Sequence, residues 1–353
     1  MADFYLDKGH FITACRGGPA FFDEDDVCAG FRNSVSVRLN CHNRLEEHMS
    51  TIKNVTIIGM GGLGTMFGYQ IQNRIGRENV TFLMDEARYQ KNKDAVYKVN
   101  GEPYDFRIVT PAEAKPADLI IVATKATGLK EALDTMEPAV GPETIIISAI
   151  NGVISEEILA ERFGSEKVIH AVAQGMDATF FGHELNYKKP GVFCLGIIDP
   201  AMQGKLEALD AFFNSIDFVH TIENDIRHRI WSKFMLNVGV NQACMVFETG
   251  YGGISEEGSL PRLVMVSAMR EAKLVSNAEG IPLTEEDLTG YVDLMASLSP
   301  ESMPSMAQDR VNKKKSEVEL FAGTVIRLAK KHGFIVPTNE YLYNRVMEIE
   351  AEY

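Results

Sequence analysis

Apolar and polar positions follow two different patterns along the chain, and the change falls near residue 223. Upstream, short runs rich in valine and isoleucine alternate with segments of helical spacing, which is typical of parallel strands connected by helices. Downstream of Asp225, long helical periods are broken by glycine and proline, and a strand is predicted only for the short run 334–336. This pattern predicts an α/β fold with an N-terminal Rossmann-type dinucleotide-binding domain at residues 51–222 and an all-helical C-terminal domain at residues 223–353.

The same pattern places the elements of the first domain. Its strands are expected at residues 55–58, 79–84, 104–109, 117–124, 144–150, 168–172, 191–198 and 218–222. Helices are expected at residues 130–137 and 155–163. The last three strands are expected at the far edge of the sheet.

The first fifty residues differ from the rest of the chain. They contain three of the five cysteines, an acidic cluster at residues 23–26 and no sustained period. From Met49 the chain leads directly into the first strand, as a natural start would. We therefore expect residues 1–50 to be a poorly packed leader, appended or mis-assigned. The alternative is a genuine extra strand or a partner-binding arm.

Composition and charge narrow the class of protein. The chain has 353 residues, of which 45% are hydrophobic and 24% charged, enough for two domains with proper cores. The net charge of -14 argues against a nucleic acid or an anionic membrane as partner, and no apolar run approaches the length of a membrane span. The five cysteines are scattered without a C-x-x-C pair, which argues against a disulfide framework and a zinc site and favours a reducing cytoplasm.

A glycine-rich turn directly follows the first predicted strand. Residues 59–64 read Gly-Met-Gly-Gly-Leu-Gly, the G-x-G-x-x-G pattern between a strand and a helix. Gly59 would make the turn, Gly61 would let the backbone approach a pyrophosphate, and Gly64 would allow close helix packing. The second strand leads to Asp85, where an acidic residue would contact a ribose. These features predict a dinucleotide site formed by Gly59, Gly61, Gly62, Leu63, Gly64 and Asp85.

The segment 229–247 predicts a helix with a polar row inside an apolar sequence. Lys233, Asn237 and Asn241 are spaced four residues apart, so they lie along one helix face. An ammonium and two amides in such a segment are costly to bury unless something hydrogen-bonds them. A polar ligand in a cleft would meet that need. A helix with one solvated face is the alternative, but that face would carry a mixture of charges, and this segment has no carboxylate.

Lys125 and Asn151 each come directly after a predicted buried strand. Ligands of open parallel sheets bind at the carboxyl ends of the strands. A solvated loop residue is the simpler interpretation of each one alone. Their shared place on the edge that the glycine turn faces favours a binding role.

Residues 53–353 resemble the ketopantoate reductase (2-dehydropantoate 2-reductase) family. The shared motifs are the glycine turn, Thr124–Lys125, Asn151–Gly152, the helix from Trp231 to Asn241, Pro304–Asp309, Lys315–Glu319 and the closing segment His332–Asn339. Motifs that occur together in this order are far more specific than any one of them. The resemblance implies reduction of 2-dehydropantoate to (R)-pantoate with NADPH, a step toward pantothenate and coenzyme A.

The resemblance also implies two catalytic residues. Lys233 would be the general acid, with its ammonium aimed at the substrate carbonyl, and Glu317 would orient the substrate or Lys233. Glu317 would lie on a helix that begins near Ser305, whose hydroxyl and free N–H groups suit a substrate carboxylate. From the residues alone, Glu317 could equally be an ion-pair partner on a charged helix beside the lysines at 313–315.

The remaining polar residues receive binding roles from the resemblance. Asn237 and Asn241 would bind the hydroxyl of the substrate. Lys125 and Asn151 would hold the nicotinamide side of the cofactor and the edge of the substrate. The partner is expected to be a small 2-keto acid.

The end of the second strand departs from the family pattern. Many members carry an arginine there that meets the 2′-phosphate of NADPH, whereas this chain has Asp85. A carboxylate at this position favours the free ribose hydroxyls of NADH and repels a phosphate. Arg88 and the lysines at 91 and 93 could reach a phosphate in a different geometry. The resemblance favours NADP, and Asp85 keeps NAD possible.

Other functions remain open from the sequence. NAD-dependent D-2-hydroxyacid dehydrogenases of similar fold use the same catalytic lysine on branched or aromatic 2-keto acids, and pocket shape decides between the activities. A protein that senses the dinucleotide without turnover would have no need for the catalytic set. A dehydrogenase of the hydroxyacyl-CoA or 6-phosphogluconate type would need a catalytic histidine or a different lysine–asparagine setting. A homodimer is possible through Met265, Met269 and Met295, which core packing explains equally well.

Overall fold

The structure is a computed structural model and describes residues 52–353. The predicted leader at residues 1–50 therefore lies outside the described residues. The described strands are β1 Val55–Ile58, β2 Val80–Leu83, β3 Tyr97–Val99, β4 Glu102–Tyr104, β5 Ile108–Val109, β6 Ala117–Val122, β7 Val140–Ser148, β8 Val168–Gln174, β9 Thr179–Phe181, β10 Glu184–Asn186, β11 Val192–Gly196 and β12 His220–Ile222. The described α-helices are α1 Gly62–Ile75, α2 Glu86–Asn92, α3 Leu129–Met136, α4 Ser155–Phe163, α5 Gln203–Ser215, α6 Ile226–Val246, α7 Tyr251–Ser255, α8 Leu260–Ala278, α9 Glu285–Ala296, α10 Ser305–Val311, α11 Thr324–His332 and α12 Pro337–Glu350. A π-helical turn spans Glu319–Gly323.

Eight strands form one sheet in the order β12-β11-β8-β7-β6-β1-β2-β5. Neighbouring strands run parallel except β8 and β11, which are antiparallel. The central strands β1 and β6 are almost wholly buried, which explains why their sequences are continuous apolar runs. The predicted fold class, a Rossmann-type first half and a helical second half, is confirmed. The last three predicted strands do lie together at one edge of the sheet.

The register of the central strands brings three chain segments to the same edge of the sheet. Ile58 of β1 pairs with Val122 of β6, which in turn pairs with Ser148 of β7. The segments that follow these three residues therefore leave the sheet side by side. This carboxyl edge is where open parallel sheets bind their ligands.

Helix α6 is the centre of the helical half. It packs against α8, α10 and α12 and also against strand β8, so most of its residues are buried. The methionines that were considered for a dimer surface belong to the same core: Met265, Met269 and Met295 are all buried. Core packing is thus the explanation for those three residues.

Two strand predictions are wrong. The predicted strand 104–109 is split, because Tyr104 ends β4 of a second sheet, ordered β4-β3-β10-β9, and only β5 joins the main sheet. Residues 334–336 form no strand. Gly333 adopts a left-handed conformation after α11, and the N–H of Phe334 donates to the carbonyl of Ala329, which closes the helix end. The next helix begins at Pro337, so the three residues between are a linker.

No helix among residues 52–353 is both long enough and apolar enough to cross a membrane.

Candidate active site

The glycine turn after β1 has the geometry that a dinucleotide requires. Gly59 has a φ of 102°, and a Cβ on Gly64 would lie 1.9 Å from the carbonyl oxygen of Gly59, so no side chain fits there. A Cβ on Gly61 would meet no atom within 4 Å, which leaves that side of the turn open. Helix α1 begins at Gly62 without a side-chain cap and without an acidic residue in its first turn. Its positive end is therefore available to a pyrophosphate.

Lys233 extends from α6 to the carboxyl edge of the sheet. Its Nζ donates hydrogen bonds to Oδ1 of Asn151, at 2.9 Å, and to the carbonyl oxygen of Ala173, at 2.5 Å. Burial lowers the pKa of Lys233 to about 8, although the Glu317 carboxylate acts in the opposite direction. The described residues account for two of the three N–H donors of the ammonium, so one remains for a ligand.

Asn151 links Lys233 to Glu317. Its side-chain nitrogen donates to Oε2 of Glu317 at 3.2 Å, while its oxygen accepts from Lys233. One amide thus faces an ammonium with its oxygen and a carboxylate with its nitrogen, which suits both charges. Glu317 lies just before the π-helical turn, and its backbone carbonyl accepts from the N–H groups of Leu320 and Phe321. Such turns are frequent at functional sites.

The polar row of α6 continues from Lys233 to the start of α10. Nδ2 of Asn241 donates to Oδ1 of Asn237 at 3.3 Å, and both side chains are buried. Oδ1 of Asn241 accepts from the Ser305 hydroxyl at 3.0 Å and from the N–H of Met306 at 3.3 Å. These two donors, which the sequence suggested were free for a substrate carboxylate, are already engaged by Asn241.

Lys125 joins the sheet edge to the helical half of the molecule. Its Nζ lies 3.2 Å from each carboxylate oxygen of Asp309 on α10. Burial raises the pKa of Asp309, while the charge of Lys125 lowers it. The Lys125 side chain itself is half exposed. The pair therefore lies where the segment after β6 meets α10.

Asp85 and Arg88 form a local pair at the end of the second strand. Asp85 caps α2 by accepting from the N–H of Arg88 at 2.9 Å, and its other oxygen accepts from the Arg88 guanidinium at 2.6 Å. Burial raises the pKa of Asp85, but the hydrogen bonds and charge of Arg88 outweigh that effect and lower it. A carboxylate and a guanidinium thus lie together directly after the second strand.

The structure corrects the expected position of Glu317. The helix that begins at Ser305 ends at Val311, since Lys313 has a φ of 49° and the N–H of Lys314 bonds back to the carbonyl of Asp309. Glu317 therefore lies in a segment without helical structure. Its partner among the described residues is Asn151 rather than the neighbouring lysines.

The sequence did not point to three further groups at or near the site, of which the Ala173 carbonyl and Asp309 contact site residues directly. The carbonyl of Ala173 holds Lys233, Asp309 holds Lys125, and Glu156 lies buried in the first turn of α4. Asp309 belongs to the motif Pro304–Asp309, and Glu156 lies at the start of the predicted helix 155–163. A backbone carbonyl leaves no signal in the side-chain pattern.

The fold and site together define a Rossmann-type NAD(P)-dependent oxidoreductase: a dinucleotide turn and an ammonium lie at the same edge of one sheet. The comparisons with known proteins give the family. Residues 55–186 match the family described as "Ketopantoate reductase PanE/ApbA", and residues 225–350 match "Ketopantoate reductase PanE/ApbA C terminal". The chain belongs to the ketopantoate reductase family.

Individual relatives agree with this family. The chain is 29% identical over 296 residues to a 2-dehydropantoate 2-reductase of Streptococcus pyogenes, covering 80% of this chain and 93% of the relative. The crystal structure of 2-dehydropantoate 2-reductase from Geobacter metallireducens is similar with a TM-score of 0.74 at 24% identity, covering 84% of this chain and 99% of that one. A D-mandelate dehydrogenase with NADH and anilino(oxo)acetate is similar with a TM-score of 0.75 at 21% identity, covering 85% and 99%. At these identities the two structures establish the fold alone.

Proposed function

We propose that the protein reduces 2-dehydropantoate to (R)-pantoate with NADPH, and that Lys233 is the proton donor. The observation that carries the proposal is the Lys233 ammonium, held at the carboxyl edge of the sheet by Asn151 and Ala173 with one N–H remaining. The similarity to curated 2-dehydropantoate 2-reductases supports the choice of substrate.

When bound, the reduced nicotinamide supplies a hydride to the carbonyl carbon of the substrate. Lys233 hydrogen-bonds the carbonyl oxygen and stabilises the negative charge that develops there. It then transfers a proton from Nζ to this oxygen, which becomes the hydroxyl of the product. The neutral amine regains a proton from solvent. A pKa of about 8 suits this role, because Lys233 is mostly an ammonium at neutral pH yet releases its proton readily.

In this proposal Glu317 and Asn151 hold Lys233 in its charged form and in position. The carboxylate of Glu317 favours the ammonium form of Lys233, and Asn151 fixes the direction of Nζ. Removal of Asn151 would take away one of the two partners of Nζ, and removal of Glu317 would leave the Asn151 amide without its acceptor and the ammonium without a favourable charge.

The substrate hydroxyl and carboxylate are assigned to the row of Asn237, Asn241 and Ser305. These side chains already hydrogen-bond one another, so they are held in position before a ligand arrives. Asn241 accepts a hydrogen bond from the start of α10, and Ser305 is an exposed residue at that junction. A substrate carboxylate would compete with Asn241 for the hydroxyl of Ser305.

The glycine turn at residues 59–64, in which Leu63 packs against the hydrophobic core, would bind the pyrophosphate. Lys125 and Asn151 would hold the nicotinamide side, which requires Lys125 to loosen its contact with Asp309. For NADPH, Arg88 would turn from Asp85 to the 2′-phosphate. The two are only three residues apart and Arg88 is exposed, so this change needs a side-chain movement alone.

A second function is favoured by one observation. Asp85 caps the helix that follows the second strand, and a carboxylate there would suit the ribose hydroxyls of NADH. The D-mandelate dehydrogenase to which this chain is structurally similar contains NADH. An NAD-dependent reduction of branched or aromatic 2-keto acids by the same lysine is therefore the alternative.

The deciding experiment follows the oxidation of NADPH and of NADH separately, with 2-dehydropantoate, with a bulkier branched 2-keto acid and with an aromatic one. We expect the highest kcat/KM for 2-dehydropantoate with NADPH. The highest kcat/KM for NADH with a bulkier keto acid would replace the first proposal by the alternative. Tight dinucleotide binding without turnover of any substrate would contradict both and favour a sensing protein.

The homodimer stays a prediction. Exposed apolar residues do occur on α8, at Leu260, Leu263 and Leu274. Sedimentation equilibrium of the purified protein measures the mass of the assembly directly.

A further inference from the structure

Glu156 is a buried carboxyl group that the proposed reaction does not use. It lies in the first turn of α4 and is 5% exposed. The Ser155 hydroxyl donates to its Oε2 at 2.8 Å, and the backbone N–H of Ala171 on β8 faces the same carboxyl group and favours its ionised form. Burial of a carboxylate costs free energy, so the groups that contact it indicate its role.

Hydroxyl groups connect Glu156 to the loop that carries Asn151. The Ser148 hydroxyl, at the end of β7, donates to Oγ of Ser155 at 2.9 Å. Oγ of Ser148 in turn accepts a hydrogen bond, at 3.2 Å, from the N–H of Ile150, which directly precedes Asn151. Every donor in this row of hydrogen bonds points toward Glu156. Its carboxylate is therefore the final acceptor and sets the direction of all the bonds in the row.

Glu156 also holds the strand edge that binds Lys233. Strand β7 pairs with β8 only as far as Ile169, so the backbone of β8 beyond that residue has no strand on this side. The N–H of Ala171 faces the Glu156 carboxyl group, and the carbonyl of Ala173, two residues on, accepts from Nζ of Lys233. Because backbone groups two residues apart in a strand point the same way, the carboxyl group and the ammonium occupy neighbouring places along one edge.

We propose that Glu156 is a positioning residue for Lys233: it fixes the two groups that hold the Lys233 ammonium, and its carboxylate supplies a negative charge behind that ammonium. The inference rests on the proposed function of Lys233 as the acid. The other charged or titratable groups that face Lys233 are Glu317, Cys194 and Arg229. Glu317 and Cys194 favour the ammonium as Glu156 does, whereas Arg229 disfavours it.

The two groups titrate in overlapping pH ranges, and the charge of Glu156 favours the ammonium form of Lys233. Burial raises the pKa of Glu156 to about 7 and lowers the pKa of Lys233 to about 8. Glu156 is thus largely ionised in the range where Lys233 titrates. Loss of its charge would make Lys233 release its proton at lower pH.

The test measures the pKa of Lys233 directly, by NMR of protein in which only the lysines carry ¹³C at Cε. The spectrum of Lys233→Arg assigns the signal. We compare Glu156→Gln, which keeps the shape and an acceptor oxygen, with Glu157→Gln on the exposed face of the same turn. We expect Glu156→Gln to lower the pKa of Lys233 by about 0.5 or more, and Glu157→Gln to leave it unchanged. An unchanged pKa in a folded Glu156→Gln would overturn the proposal.

A second variant covers the case in which Glu156→Gln fails to fold. Ser155→Ala removes the hydroxyl that joins Glu156 to Ser148 and leaves the carboxyl group in place. That hydroxyl stabilises the ionised carboxylate, so we expect a smaller fall in the pKa of Lys233 and a lower kcat. A Ser155→Ala protein with wild-type values for both would contradict the positioning role. Since the NMR titration needs no substrate, absence of 2-dehydropantoate turnover would count against the proposed function alone.

Discussion

The protein holds charged groups in two contrasting regions, a buried cluster around Lys233 and an exposed pair formed by Asp85 and Arg88. In the buried cluster, desolvation moves the pKa of Lys233 down to about 8 and that of Glu156 up to about 7. In the exposed pair, Arg88 lowers the pKa of Asp85 and both side chains contact solvent. Burial thus shifts the pKa of Lys233, which is assigned to proton transfer, and that of Glu156, which is proposed to position it. The pair assigned to cofactor choice stays in contact with water, where a single ion pair contributes little to stability.

The largest expected effect is the loss of the buried ammonium. Lys233→Ala should lower kcat about 1,000-fold, because it removes the proton donor and leaves Asn151 and Ala173 without their partner. Steady-state kinetics with saturating NADPH and 2-dehydropantoate measures this. The matched control is Lys330→Ala, an exposed lysine on α11, which should keep wild-type kcat. A Lys233→Ala enzyme with more than about a tenth of wild-type kcat would remove Lys233 from the acid role.

The next largest effect is on the pH dependence of the unfolding free energy, which should depend on buried Glu156 far more than on its exposed neighbour Glu157. The pKa of Glu156 is 4.5 ordinarily and about 7 in the folded protein, so the folded state binds this proton more tightly. Its contribution to stability is present below pH 4.5 and is lost as the pH rises through about 7. Between pH 4.5 and about pH 7, the unfolding free energy of the wild type should therefore fall by at most about 3 kcal/mol relative to that of Glu156→Gln.

Urea denaturation at several pH values between about 5 and 8 measures this difference. Glu157→Gln should follow the wild-type curve closely, since Glu157 is exposed and its repulsion contributes less than burial to the raised pKa of Glu156. Parallel curves for the wild type and Glu156→Gln would mean that Glu156 is not held as a buried, shifted carboxyl group.

The contrast between the two regions also explains how far the sequence predicts the site. The glycine turn and the polar row on α6 are predicted correctly in position, since each depends on local spacing: a strand before glycines, or side chains four residues apart on a helix. The Asp85 and Arg88 pair is equally local. Glu156 and Ala173 escape prediction because their importance comes from the end of β7, where pairing with β8 stops and leaves an open strand edge.

The contact that Glu317 makes is likewise not predictable from the sequence pattern. The family resemblance selects this residue, but the segment between α10 and the π-helical turn has no periodic pattern from which its contact with Asn151 could be inferred. The contact joins residues that are 166 positions apart. Only the folding of the helical half against the sheet brings them together.

The smallest expected effect belongs to the exposed pair. Asp85→Asn should raise the ratio of kcat/KM for NADPH to that for NADH by about tenfold, because it removes a repulsive carboxylate and releases Arg88. Arg88→Ala should change the ratio in the opposite direction. Glu86→Gln, exposed in the same turn, is the control and should leave the ratio near its wild-type value. An unchanged ratio in Asp85→Asn would place the 2′-phosphate elsewhere.

The central claim, that a buried lysine with a pKa of about 8 gives the proton, is tested most directly by the pH dependence of kcat in both directions. Reduction needs the ammonium, so its kcat should fall above about pH 8, whereas oxidation of pantoate needs the neutral amine and should rise through the same pH. Mirror-image profiles that share one pKa near 8 are the predicted result. Profiles that are flat between about pH 7 and 9, with full activity retained, would contradict the assignment of Lys233 as the proton donor.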